Sequence, residues 1–204
     1  MMMKQMATSN FLSLIAAGHE NRHIEWKQTF SWNDKNSIWL KEKVIRAMMG
    51  FANTPDGGYI IVGIKEGGGK GPRLNGLTAE ELSSFVYDTI KDSVDGFSSS
   101  PIIFEIFFSI YKNKKFVIIR VEEFDELPVI CKKNSQNRGV LKKGVIYCRS
   151  RGGSPKTIPV TETETRELIQ RAVDKQQEIL RRRGWRYRGA EVKNLFHKQR
   201  EDFQ

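Results

Sequence analysis

Apolar positions along this 204-residue chain fall into runs whose period switches between helical and strand-like spacing. Residues 11–17 (FLSLIAA) predict a short helix that Gly18 ends. Over 23–29 the pattern alternates, with Ile24 and Trp26 on one side and Glu25 and Lys27 on the other, as in a half-buried strand. Leu40, Val44, Met48 and Phe51 recur at i, i+4, i+8 and i+11, which predicts a helix over 37–53. The run YIIVGI at 59–64 reads as a strand buried on both faces, launched by the turn Pro55-Asp56-Gly57-Gly58. Thr78 and Glu81 have capping-box spacing for a helix reaching about Ser93. Two β-rich runs, 102–111 and 116–121, flank Lys112-Asn113-Lys114 and predict a hairpin. A short strand at 145–149 follows, and Thr161 with Glu164 opens a last helix carrying Leu168, Ile169, Ala172, Ile179 and Leu180. Helices alternating with strands, then a run of strands, predict an α/β (α+β) fold with a mixed sheet flanked by helices. The expected partition is a core domain at 8–172 and a basic C-terminal helix and tail at 173–204.

Charge changes the picture most. Lys and Arg number 34 against 24 Asp and Glu, a net charge of +10. The excess is clustered: between residues 131 and 156 there are eight bases (Lys132, Lys133, Arg138, Lys142, Lys143, Arg149, Arg151, Lys156) and no acid. A solvated surface ordinarily mixes both signs, so this stretch points to a polyanionic partner, with nucleic acid first. The tail adds Arg181-Arg182-Arg183-Gly184-Trp185-Arg186-Tyr187-Arg188-Gly189, which offers guanidinium groups for phosphates and rings for unpaired bases; the equal alternative is a basic helix end that complements the helix dipole. Two cysteines, Cys131 and Cys148, sit in apolar or basic surroundings and read as reduced core residues. With no signal-like start and no long apolar run, a cytoplasmic protein without membrane association is expected.

Candidate chemistry begins at Glu20 and Glu25-Trp26-Lys27. Five residues apart, the two carboxylates diverge on one helix and lie on opposite faces of one strand. They converge only if the chain bends between them, which Gly18 and Asn21-Arg22 permit. Lys27 then shares a face with Glu25 and could hold a phosphate; the plainer alternative is an exposed Glu–Lys pair worth at most ~1 kcal/mol. Asn53-Thr54 closes a helix, the paired glycines shape a turn, and Glu66 follows the buried strand. The loop Gly67-Gly68-Gly69-Lys70-Gly71-Pro72 lacks phosphate-loop spacing and reads as a flexible connection. The three histidines have no ligand spacing, and no nucleophile–base set can be assembled.

Taken in order, these motifs resemble the Schlafen-type Alba-like domain. The residues that carry the resemblance are Glu20, Glu25-Trp26-Lys27, Gly50-Phe51-Ala52-Asn53-Thr54, the block from Gly57-Gly58-Tyr59 through Gly63 to Glu66, and Tyr147-Cys148-Arg149 with Gly152-Gly153-Ser154 behind it. It spans about residues 10–172 and implies an Alba-like mixed sheet. In nuclease-active members three carboxylates bind a divalent metal, Mg²⁺ or Mn²⁺, and cut structured RNA such as transfer RNA. Carried over, they are Glu20, Glu25 and Glu66, with glutamate at the third position where the family has aspartate. Lys27 would neutralise developing charge, while Lys132, Lys133, Arg138, Lys142, Lys143, Arg149 and Arg151 hold the backbone. The expectation is therefore a metal-dependent endoribonuclease whose three carboxyl groups lie within about 8 Å. The rivals are a non-catalytic DNA- or RNA-binding regulator and, more weakly, an ATP-binding module. Because the family joins two such lobes and this chain has one, a homodimer would restore the second; Leu180, Trp185 and Phe196 could form its interface or, equally, dock back onto their own core.

Overall fold

The computed structural model describes residues 3–66, 71–136, 139–152 and 155–183. Its centre is a five-stranded mixed sheet in the order β1 (Lys4–Gln5), β6 (Phe104–Tyr111), β7 (Lys114–Val121), β3 (Gly58–Val62), β2 (Ile24–Lys27). The inner strands β7 and β3 carry apolar residues on both faces: Phe116, Val117, Ile118, Ile119, Ile60, Ile61 and Val62 are all sealed from solvent. They pair antiparallel, as does the β6–β7 hairpin, while β2 runs parallel to β3 and β1 parallel to β6. Lys112 and Asn113 both take positive φ, 49° and 58°, which matches the two-residue turn that fits strand twist.

Helix α2 (Ile38–Ala52) packs on one face, joined there by α4 (Tyr87–Asp95) and by Leu168 and Ala172 of α5 (Glu162–Arg182). The other face is covered by α1 (Thr8–Ile15), whose Phe11 stacks on Phe116 at 4.8 Å between ring centroids. Outside the main sheet, β4 (Ile64–Lys65) pairs with β5 (Arg73–Leu74), and β8 (Tyr147–Arg149) with β9 (Thr157–Pro159). Both predicted capping boxes form, at Thr78 with Glu81 and at Thr161 with Glu164.

The structure departs from the pattern most clearly in two places. The helix expected from 78 to about 93 is two helices, α3 (Ala79–Ser83) and α4. Between them Phe85 turns inward against Phe30 and Trp32, at 5.3 and 5.9 Å, and the Ser84 hydroxyl accepts from the Trp32 amide at 2.8 Å. Burying that ring outweighs one more turn of helix. The predicted strand at 59–64 is interrupted by Gly63, whose φ of 109° is open to glycine and strained for other residues. The last helix expected after Thr161 is α5, which runs unbroken through Ala172 to Arg182. Part of the glycine loop, 67–70, and the tail from 184 lie outside the described residues.

Candidate functional site

Residues 21–24 make the expected bend: Asn21 and Ile24 exchange two backbone hydrogen bonds, each 3.2 Å. The bend returns Glu20 over the start of β2, where its Oε1 accepts from the Trp26 amide at 2.5 Å. Glu20, Glu25 and Lys27 thereby share a cleft of about 470 Å³ with Glu66, which lies just past β4. The other wall is α2, with Trp39, Lys43 and Arg46, and the loop before β9 supplies Lys156.

Glu25 is the hub of this cleft, and its oxygens are taken. Oε1 accepts from the Lys27 ammonium, and Oε2 from Arg149 Nη1 at 2.5 Å and from the Thr157 hydroxyl at 3.2 Å. Arg149 is 1% exposed. It also donates to the carbonyls of Asn21 at 3.1 Å and Ile24 at 3.4 Å, and its guanidinium lies 5.1 Å from the Phe51 ring centroid.

The motif residues explain how so polar a group is held. The Thr54 hydroxyl donates to the Gly50 carbonyl at 2.7 Å and accepts from the Arg149 amide at 3.2 Å. Asn53 donates to the carbonyls of Val129 and Tyr147, at 2.8 and 2.9 Å, and accepts from the Val129 amide at 2.8 Å. Asn53-Thr54 thus clamps β8 to the end of α2. At Gly50 a Cβ would lie 2.6 Å from the Thr157 methyl, so only glycine lets β9 approach closely enough for Thr157 to reach Glu25.

Electrostatics divide the cleft. Burial pushes Glu20 up to about 7, against the pull of the Trp26 amide and Lys27; Glu25 and Glu66 add smaller upward shifts. Burial also lowers Lys43, and the neighbouring Lys27 and Arg46 lower it against the pull of Glu25. The cations stay in excess here because Glu25, the most buried of the cleft carboxylates, is already shared by two of them. The Arg46 Nε is buried without a hydrogen-bond partner, although its Nη2 donates to the Thr157 carbonyl.

The structure brings Glu20, Glu25, Lys27 and Glu66 to one cleft, as their spacing allowed. Arg149, expected to hold the backbone, lines the same cleft but is almost wholly buried, with its charge paired to Glu25. Arg151 is exposed and paired with Glu167. Lys132, Lys133, Lys142 and Lys143 are exposed on the basic loop, and Arg138 lies outside the described residues. Lys43, Arg46 and Lys65 were not singled out beforehand, and Lys156 was named only among the bases of the 131–156 stretch. For the first two, the helical spacing of α2 that placed Leu40 and Val44 inward also set Trp39, Lys43 and Arg46 on one flank.

A divalent ion bound by Glu20, Glu25 and Glu66 does not fit this arrangement. Hard cations need free carboxylate oxygens, and both of Glu25's are occupied by cationic donors. Among the described residues, no group of three or more His, Cys, Asp or Glu side chains is placed to hold a metal ion. Nor is any helix among them long and apolar enough to cross a membrane.

Two solved structures are similar. The DIP2311 protein from Corynebacterium diphtheriae is 19% identical, with a TM-score of 0.50, over 81% of this chain and 27% of its own. This chain therefore spans about a quarter of that protein's length. The N-terminal domain of a RecG-related protein from Nitrosomonas europaea is 18% identical, with a TM-score of 0.45, over 78% of this chain and 97% of that domain. No curated protein matches. Residues 20–157, from the cleft carboxylate Glu20 to the Thr157 that reaches Glu25, match the family described as Schlafen, AlbA_2, and the chain belongs to that family.

Proposed function

We propose that this protein binds nucleic acid by its phosphates, with the backbone laid across the cleft between β2 and α2. The observation that carries the reading is the cation excess in that cleft. Lys27, Lys43, Arg46, Lys65 and Lys156 line it with Glu20, Glu25 and Glu66, and Lys27 shares Glu25 with Arg149. Phosphates bound there would offset the burial that lowers Lys43 and the smaller repulsion from Lys27 and Arg46. The exposed Lys132, Lys133, Lys142 and Lys143 extend the same field from the basic loop. The family membership agrees with a nucleic-acid role.

A second reading is metal-dependent cleavage of structured RNA such as transfer RNA. The convergence of Glu20, Glu25 and Glu66 on one cleft favours it. The cationic ligation of Glu25 weighs against it, and that ranks it behind binding without cleavage. A two-fold dimer would extend the basic surface further; Leu180 is 39% exposed near the end of α5, and Trp185 and Phe196 lie outside the described residues.

The test is binding of labelled transfer RNA, single-stranded RNA and duplex DNA over a salt series in EDTA, Mg²⁺ or Mn²⁺, with light scattering of the same samples. Binding should survive EDTA and weaken linearly on a log–log salt plot. Reversing Lys43 and Lys65 to Glu should flatten the slope by about 0.7 per lost phosphate contact on single strands. Cleavage in Mn²⁺ that EDTA abolishes would promote the second reading. Absence of binding at low salt, or no effect of the reversals, would overturn the first.

A further inference from the structure

Helix α2 has a second polar flank, turned away from the cleft. Glu42 projects from it into a pocket of about 300 Å³ walled by Ile38, Ile45 and Phe97 and bounded by Lys133 of the basic loop. Glu42 is 4% exposed. The backbone amide of Gln136 hydrogen-bonds its carboxylate, but Oε2 is buried and meets no donor. An orphaned carboxylate oxygen costs more than almost any other buried atom, and burial accordingly raises the Glu42 carboxyl despite the Gln136 amide. Lys41 and Lys133 line the pocket yet neither pairs with Glu42. The Lys133 ammonium instead sits 4.3 Å from the Phe97 ring centroid. What the pocket offers is an apolar patch from Ile38, Ile45 and Phe97, with Glu42 in its wall and Lys41, Asp92 and Lys133 at its border.

The surroundings tell which donor suits it. The pocket opens at the root of the basic loop, and that root is held rigidly: the Lys132 amide donates to the Phe97 carbonyl at 2.7 Å, and the Lys143 amide to Asn134 Oδ1 at 2.8 Å. Lys133 borders the pocket, and Lys132, Lys142 and Lys143 are exposed along the same loop, available to phosphates. A planar, mostly apolar group that carries an N–H donor and is tethered to phosphate meets all of these conditions. We infer that the pocket receives one unpaired base of a bound strand, with Glu42 Oε2 accepting a hydrogen bond from the base's exocyclic amine. Recognition of splayed bases on their Watson–Crick edge beside an aromatic ring is how single strands are read in general, and a carboxylate selects the amine of cytosine or adenine over the carbonyls of thymine or uracil.

This inference rests on the nucleic-acid reading above, and one experiment separates the two. The full chain is titrated at fixed salt with labelled 12-nucleotide homopolymers of dC, dA and dT, and with a dA homopolymer whose purines lack the 6-amino group. Tighter binding of dC and dA than of dT by about tenfold is expected, with the same loss when the amine is deleted. Glu42→Gln, checked for unaltered thermal unfolding, should erase the preference, because an amide can present a donor or an acceptor. The amine-deleted oligomer probes the unmodified protein, so the result stands even if Glu42→Gln fails to fold. Equal affinity for all four oligomers, with an ordinary salt dependence, would overturn base recognition and leave phosphate binding in place. No binding by any oligomer would overturn the phosphate reading itself.

Discussion

Replacing Arg149 with Met tests whether the centre of the site is a structural ion pair. Arg149 is 1% exposed and donates to Glu25, to the carbonyls of Asn21 and Ile24, and to Thr157. Methionine fills much of the same volume over Phe51 but leaves Glu25 with one cation instead of two. Removing one partner of a buried pair typically costs 3–5 kcal/mol, roughly. Lys27 and the Thr157 hydroxyl remain on Glu25 and soften the loss, whereas the Asn21 and Ile24 carbonyls each lose one of two donors. The balance is about 4 kcal/mol, or a fall in Tm of roughly 8–16 °C for a chain of this length. Urea unfolding followed by tryptophan fluorescence reads it as a lower midpoint at unchanged slope. Glu25→Gln should cost at least as much, because it strands Lys27 and Arg149 side by side. The double variant should lose less than the sum of the two by more than about 1 kcal/mol. A loss below about 1 kcal/mol for Arg149→Met, or strict additivity, would refute the pairing argument and return Glu25 to the pool of free ligands.

Two further outcomes follow from charge. Glu20 is raised to about 7 by burial, so between its unfolded value near 4.5 and pH 7 the folded chain binds more protons than the unfolded one. This group therefore lowers stability as pH rises through that window, by up to roughly 3 kcal/mol. Glu20→Gln should flatten the decline and leave the variant more stable than the parent at pH 8; a pH profile unchanged by the substitution would contradict it. Reversing Lys142 and Lys143 to Glu should weaken nucleic-acid binding for every sequence and lower the salt slope, as filter binding at several salt concentrations would show. Unchanged affinity at low salt would remove the basic loop from the binding surface.

Much of the frame was legible because single residues announce it. Thr78 with Glu81 and Thr161 with Glu164 fix two helix starts locally, and the doubly apolar runs at 59–62 and 116–119 can only be inner strands. What escaped depends on distant partners. Nothing near residue 85 says that its ring will lie between Phe30 and Trp32 and so break a helix. Arg149 stands in the most basic stretch of the chain and looked like a phosphate ligand. Its burial is set by Glu25, 124 residues away, and by the Thr54 hydroxyl that holds its amide. Gly50 looked like part of a helix-closing motif. Its role, making room for Thr157, appears only when β9 is in place.

Glu25-Trp26-Lys27 illustrates why a motif can be read correctly and still mislead about chemistry. Alternation along β2 sends Trp26 to the α1 face, among Ile61, Ile64 and Phe116, and Glu25 with Lys27 to the α2 face. The carboxylate meets Arg149 there before any ligand arrives. Its buried charge is neutralised inside the protein, and Lys27 is held at the cleft wall by the same contact. Glu25 is then a positioning residue: it fixes where a cation stands and ties β2 to β8 across the cleft floor. The same helix α2 carries Lys43 and Arg46 toward that cleft and Glu42 toward the other pocket. One rigid element thus sets the distance between a place suited to phosphates and a place suited to a base. A strand long enough to reach both would be gripped at its backbone on one side of the helix and read by its base on the other.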